Sequence, residues 1–414
     1  MVLLSFLSGC RNRNSANPTP DIQVDEQFWI RVLLVDNATE FTLAINSKFS
    51  IEERNTKSNM QVALKKYNPF KKPVEVSLKE GHISVSGKVY QYDQLVICPE
   101  SPNLFSVNNS GFRGKLQITV HPDGSSFDVI NLVPLESYIA GVAGAEMPDY
   151  WEPEALKCQV IVARTYCLFI KKRFGVNRQW DVSKTAAHQV YRGIESESKA
   201  VWDAVNDTCG MVLTCMQSDG NEDIFPTYYS STCGGSTENS ENVFGDSYEP
   251  LKGVICEYCI NVAKPEVFFW PDAVFEKAEV IEKLISKYPN LARFGENMQI
   301  NVAQESDYGE FTRLTRIDIT DPNGNRDFLR AEDFRLTIDP SGRKIKSATC
   351  KLEQKDDKLI FTNGRGWGHS VGMCQCGAEG MAREGKTTGE ILAFYYPGSK
   401  IYKIDYNGKL QDFN

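Results

Sequence analysis

Along the first third of the chain, apolar and polar positions follow a short period broken by turns. FWIRVLLVD (28–36), FTLAINS (41–47), VEVSL (74–78), HISVSG (82–87), YQYDQLVIC (90–98), KLQITV (115–120) and FDVINLV (127–133) are rich in β-branched and aromatic residues. Lys79-Glu80-Gly81, Asn108-Asn109-Ser110-Gly111 and Pro122-Asp123-Gly124 punctuate them as turns. From residue 152 the period changes. Leu156, Val160, Ala163, Cys167 and Ile170 recur at helical spacing behind Pro153, with Glu152 and Glu154 at the start, so a helix is predicted over 152–173. Further on, the pattern predicts a helix near Glu195–Asn206, a strand MVLTCM (211–216) and a helix over Asp272–Lys287. It then predicts strands near Gln299–Val302, Leu314–Ile319 and Phe334–Ile338, and a helix near Gly377–Arg383. Thr387 with Glu390 forms a capping box for a last helix. The fold class is α+β, with a mainly β module over 26–111.

Composition narrows the partners. The chain has 414 residues, 46 Lys plus Arg against 54 acids and a net charge of −8, which argues against a nucleic-acid partner. The opening MVLLSFLSGC is apolar and ends in Leu7-Ser8-Gly9-Cys10, resembling a bacterial lipoprotein box, while the RNRNSANPTPD that follows reads as an extended tether. The expectation is a lipid on Cys10 and an extracytoplasmic, membrane-anchored protein; the apolar segment, too short to span a bilayer and preceded by no Lys or Arg, counts against it, and a cytoplasmic protein with an apolar start is the alternative. There are twelve cysteines. Cys158, Cys167, Cys209 and Cys215 lie in apolar runs and read as small core residues.

Four segments carry candidate chemistry. Glu146 stands among Ala143, Gly144, Ala145, Met147 and Pro148, where lost hydration favours a raised pKa and a general-acid role; a solvated loop glutamate is the alternative. In YYSSTCGGSTENSENVFG (228–245), Ser230, Ser231 and Thr232 offer hydrogen bonds to a polar ligand such as a sugar, and Gly234 and Gly235 permit close backbone approach. No Gly-x-Ser-x-Gly elbow supports a serine hydrolase. GRGWGHSVGMCQCGAEGMA (364–382) offers Trp367 as a stacking platform and His369 as a proton or hydrogen-bond donor. Cys256 and Cys259 form a Cys-x-x-Cys pair, with Cys233 upstream and Cys374 and Cys376 downstream. Four thiolates make a closed structural zinc site, and a disulfide is the competing reading.

Together these segments resemble the stage II sporulation protein D family, SpoIID/LytB, whose members are also called amidase enhancers. The matching motifs run in order: FRGKLQITV, VPLESYIAGVAGAEMP, EALKCQVIVARTY, HQVYRG, YYSSTCGGSTENSENVFG, GRGWGHSVGMCQCGAEGMA and ILAFYYPG, over about residues 112–400. The resemblance implies that Glu146 is the acid of a peptidoglycan lytic transglycosylase acting between N-acetylmuramic acid and N-acetylglucosamine. Closing a 1,6-anhydro ring would need no second carboxylate and no cofactor. It further implies that Arg164, Tyr166, His188, Ser231, Gly234, Gly235, Trp367 and His369 line a glycan groove. Where members carry a histidine beside the Gly pair, this chain has Ser230-Ser231-Thr232, which favours Cys233, Cys256, Cys259 and Cys374 as the metal set, with Cys376 behind Cys374. The expected organisation is a signal and tether over 1–25, a β module over 26–111, a mixed α+β catalytic domain with a substrate groove over 112–400, an inserted α+β subdomain at 265–345 and a tail over 401–414. Implied partners are peptidoglycan glycan strands and a cell-wall amidase. The alternative role is a non-catalytic, glycan-binding enhancer of that amidase.

Overall fold

The computed structural model describes residues 28–55, 60–295, 297–404 and 410–412, so Cys10 and the tether lie outside the described residues. The fold is α+β, as the patterning predicts. Its contacts divide it into two units, one running to Leu213 and including the segment from Ile401, the other Thr214–Lys400.

Two sheets build the first unit. The larger has seven strands in the order Val182–Ser183, Trp29–Ala38, Phe127–Pro134, Lys115–Val120, Gln94–Pro99, Phe49–Asn55, Met60–Tyr67, antiparallel except where Val182–Ser183 joins Trp29–Ala38 in parallel. It joins strands on both sides of residue 111. The smaller has six short strands, among them Glu40–Ala44 and Val74–Lys79. Alternation buries one face of each: Ile30, Val32, Ile51, Ile97, Ile118 and Val129 in the larger, Leu43, Val76 and Ile83 in the smaller. Phe41 of the smaller sheet meets Phe127 of the larger edge-on, with centroids 5.9 Å apart.

Pro134 ends the last long strand and caps helix α1 (Leu135–Glu146), which the sequence pattern does not predict. Gly141 and Gly144 depress its propensity; burial of Leu135, Tyr138, Ile139, Val142 and Ala143 supplies the stability instead. Helix α2 (Pro153–Phe174) falls where expected, with Pro153 in its first turn and Lys171, Lys172 and Arg173 in its last, favourably placed on the helix dipole. Helix α3 spans Lys199–Asp207, capped by Ser198. Cys158, Cys167 and Cys215 are buried as expected, whereas Cys209 is only half-buried.

The second unit contains a hydrophobic core of its own between Trp270 and Phe361, built from Val280, Leu284, Ile317, Ile319, Phe334 and Phe361 among others. Two three-stranded sheets and the helices Lys277–Lys287 and Ala331–Ile338 surround it. Two expectations change here. Residues 273–276 form a strand ahead of the first helix, and the strand expected at Phe334–Ile338 is helical. Phe334 and Ile338, four apart, share the buried face of that helix, and Glu332 and Asp333 suit its N-terminal end. Beyond this core, Tyr229–Ser230 pairs in parallel with Met373–Cys374, followed by helices Gln375–Arg383 and Thr388–Tyr395. The Thr387–Glu390 capping box forms. Among the described residues, no helix is long and apolar enough to cross a membrane.

Candidate functional site

Glu146 is the last residue of α1 and half-buried, a helix-end position rather than the loop glutamate of the alternative reading. The Val190 amide donates to its Oε1 at 3.0 Å. That contact depends on how residues 188–197 lie across α1. Gly141 and Gly144 leave room for them: a Cβ at Gly144 would fall 1.8 Å from the Ser196 carbonyl oxygen, and one at Gly141 2.5 Å from the Tyr191 ring. Ser196 Oγ donates to the Gly141 carbonyl at 2.7 Å. Glu197 holds the far end through a bidentate ion pair with buried Arg113 and accepts from the Trp202 indole. Gln189, fully buried, donates to the Ala163 carbonyl of α2 at 3.1 Å and accepts from Tyr138 of α1 at 3.2 Å. The segment carrying the Val190 amide is therefore fastened to both helices. Gly144→Ala is expected to lower stability by about 1–3 kcal/mol, the usual cost of overpacking, seen as a lower urea midpoint.

His188 is half-buried, accepts or shares a hydrogen bond with Ser183 Oγ at 2.9 Å, and meets Trp180 edge-on. Burial, with Arg178 nearby, lowers its pKa below the ordinary histidine value. Tyr166 is half-buried on α2. Arg164 lies differently from what lining a groove requires: it is 0% exposed, and its guanidinium is taken up by a bidentate pair with Glu136 and by the Met211 carbonyl. Its placement is that of a core ion pair joining α1 to α2.

In the second unit, Cys233, Cys256, Cys259 and Cys374 converge: all four are buried and their sulfur atoms lie within 4.8 Å of one another. They are free thiols, with Cys233 and Cys259 sulfurs 3.6 Å apart. Four thiolates bound at about 2.3 Å to a tetrahedral metal stand about 3.8 Å apart, whereas a disulfide needs about 2.05 Å. The surroundings fit thiolates. The Cys233 and Gly377 amides donate to Cys374 Sγ at 3.2 and 3.4 Å, and Tyr395 Oη lies 3.1 Å from Cys256 Sγ. Cys374 caps helix Gln375–Arg383, where the helix dipole favours a negative sulfur. Burial pushes the Cys233 and Cys374 thiols up, while hydrogen bonds within the cluster hold Cys256 and Cys259 down. So many sulfurs at this spacing carry full negative charge only with a cation among them. This buried four-cysteine group can hold a metal. Cys376, next along the helix, is outside the set. Tyr395 and Gly377 were not singled out by sequence; the Gly377–Gly380 spacing was the available signal. A Cβ at Gly377 would lie 1.9 Å from Tyr395 Oη, and one at Gly380 2.7 Å from the Tyr258 carbonyl oxygen.

The Gly-rich loop crosses the Ser/Thr segment beside this cluster. Thr232 and Trp367 exchange backbone hydrogen bonds of 3.1 and 2.8 Å. Gly234 (φ 77°) packs on the Arg365–Gly366 backbone, and a Cβ at Gly235 would lie 2.9 Å from the Phe311 ring. Ser231 is half-buried, and its carbonyl accepts from the Cys376 amide at 3.0 Å. Trp367 is 39% exposed, with the Lys346 ammonium 5.3 Å above its ring. His369 Nδ1 accepts from the Val371 amide at 3.0 Å, a second hydrogen bond joins its ring to the Tyr229 backbone, and Phe244 and Tyr228 present their rings to it. Burial pushes its pKa down to about 4, so the ring is neutral near pH 7 and braces the loop.

That shift has a consequence for stability. Because the folded value lies below the unfolded one, the unfolded chain takes up the proton first as pH falls, and stability is lost between pH 6.5 and about 4. His188 acts in the same direction. Thermal melts from pH 7 to pH 4 should show a shallower decline for His369→Gln than for the wild type.

The stage II sporulation protein family pattern matches residues 123–215, which include α1, Glu146, α2 and the segment over α1. An uncharacterised protein of Brachyspira hyodysenteriae is 30% identical over 93% of this chain and 95% of its own length. Stage II sporulation protein D of Bacillus subtilis is 29% identical over 66% of this chain and 76% of its own. The amidase enhancer of Bacillus subtilis is 26% identical over 64% of this chain but only 40% of its own. With the ordered motifs and these relatives together, the chain belongs to the stage II sporulation protein D family.

Proposed function

We propose that this protein is a peptidoglycan lytic transglycosylase, cleaving the bond between N-acetylmuramic acid and N-acetylglucosamine with Glu146 as acid and then base. The observation that carries the reading is Glu146 itself: a half-buried carboxyl group at a helix end, oriented by the Val190 amide. Glu146 delivers its proton to the glycosidic oxygen as the bond to C1 of the muramic acid breaks. The carboxylate so formed then accepts the proton of the 6-hydroxyl as O6 bonds to C1, which returns Glu146 to its acid form. The nucleophile belongs to the substrate, so one carboxyl group serves where hydrolytic glycosidases use two. Mass analysis of products tests this, since 1,6-anhydromuramyl ends are lighter by one water than hydrolysed ends.

Within the same proposal, the four cysteines hold structural zinc, a closed thiolate site with no open position for substrate. Zinc held there would maintain the loops bearing Ser231, Gly234 and Gly235; within the second unit these residues and Trp367 contact glycan, and within the first unit Tyr166 and His188 do so. The reading places the protein outside the cytoplasm, anchored through Cys10. A second reading, a non-catalytic enhancer of a cell-wall amidase, draws support from the similarity to the amidase enhancer of Bacillus subtilis.

A further inference from the structure

Among the described residues, Arg113 Nη1, Arg313 Nη1 and Arg316 Nε are also buried without a hydrogen-bond partner, but Arg365, in the second unit, differs from those arginines in having no carboxylate or carbonyl partner for any part of its guanidinium. Among the described residues, buried and half-buried arginines have a carboxylate or carbonyl partner: Arg113 with Glu197, Arg164 with Glu136, Arg313 with the Cys233 carbonyl. Arg365 is half-buried, its Nε is buried, and no hydrogen-bond acceptor faces that Nε. A buried N–H without an acceptor is unfavourable unless a ligand supplies one. The side chain is nonetheless held in place. Its guanidinium carbon lies 4.4 Å from the ring centre of Phe311, 5.1 Å from that of Phe269 and 5.4 Å from that of Phe268. Aromatic contacts orient a guanidinium without using its N–H groups, which stay available for a planar anion.

Nearby surfaces suit a sugar. Phe269 pairs with Arg365 across two short strands and is 54% exposed, although a phenylalanine at a strand of this kind would ordinarily be buried. Trp367, two residues on, is 39% exposed and carries the Lys346 ammonium over its ring. The Gly pair keeps the approach narrow: a Cβ at Gly234 would come within 2.9 Å of the Arg365 backbone, and one at Gly235 within 2.9 Å of Phe311.

We propose that Arg365 is the receptor for a carboxylate carried by the glycan, binding it through the guanidinium while the exposed aromatic rings meet sugar faces. This rests on the glycan-binding reading above. It deepens that reading by naming the chemical group recognised and the residue that recognises it. On a muramic acid unit the carboxylate belongs either to the lactyl ether, when that is free, or to an attached peptide.

The test is titration calorimetry of the full chain carrying Glu146→Gln, so that nothing turns over. The ligands are an N-acetylglucosamine–N-acetylmuramic acid disaccharide with a free lactyl carboxylate, its methyl ester, the same disaccharide bearing a dipeptide, and neutral di-N-acetylchitobiose. A carboxylate-bearing form is expected to bind at least about tenfold more tightly than the ester, the usual scale for a hydrogen bond to a charged group. Adding Arg365→Gln should remove that ratio while leaving the neutral disaccharide unchanged, and Arg365→Lys should restore only part of it. Preference for the free acid assigns the carboxylate to the lactyl ether, preference for the dipeptide form assigns it to the peptide, and both support the receptor. Equal affinity for every acid and the ester, or an unchanged ratio in Arg365→Gln with a native near-ultraviolet circular dichroism spectrum, overturns it. Failure of the transglycosylase reading would show as absent cleavage by the wild type and would leave this ratio untouched.

Discussion

Glu146→Gln should leave a folded, glycan-binding protein that no longer releases product, with turnover down by about 10²–10⁴-fold or more, the scale of a lost general acid. The substitution is nearly isosteric. The amide oxygen of glutamine still accepts from the Val190 N–H that holds Oε1 at 3.0 Å, so the segment over α1 has no reason to move. The melting temperature should therefore stay close to that of the wild type, and affinity for glycan should persist. What disappears is the transferable proton and the carboxylate that later takes one back. Glu146→Asp, one methylene shorter, keeps the acid but withdraws it from the Val190 amide, and turnover should fall partway. Both rates are read by chromatography of products released from purified glycan strands.

Removal of metal from the four-cysteine group is expected to have the largest effect on stability. Metal analysis of protein purified under reducing conditions should find about one zinc per chain. Cys233, Cys256, Cys259 and Cys374 come from three separate stretches of the second unit, so one ion held by all four would tie those stretches together. Structural zinc contributes several kcal/mol or more, and in a unit of this size each kcal/mol is worth about 2–4 °C, so chelation or Cys259→Ser should lower the melting temperature by at least about 10 °C. Cys376→Ser should leave the zinc content unchanged, since its sulfur is not in the set. If a reductant destabilises the protein and a chelator does not, a disulfide and not a metal is present.

Much of the fold was legible because its strands alternate cleanly and α2 carries its own signals, Pro153 at the start and three basic residues at the end. Helix α1 was not, because Gly141 and Gly144 weaken local propensity. Those glycines are there for tertiary reasons: Gly141 and Gly144 admit the Tyr191 ring and the Ser196 carbonyl, contacts that no local pattern reveals. The helix over Ala331–Ile338 was misread as a strand because its short apolar run fits both periods. At the candidate site the cysteine spacing was readable, and the structure brings all four thiols together. The burial of Arg164 was not readable, because its partner Glu136 lies on a helix the pattern had not marked. Neither was the position of the Val190 amide, since a backbone donor has no signature in sequence.

The central claim is that Glu146 carries out chemistry on the glycan, and the most direct measurement is mass spectrometry of the ends released from purified glycan strands, with wild type and Glu146→Gln run in parallel. The account predicts 1,6-anhydromuramyl ends from the wild type and none from the variant. Wild-type protein that releases no ends yet accelerates an added cell-wall amidase, or a Glu146→Gln variant that releases them as fast as the wild type, would contradict it.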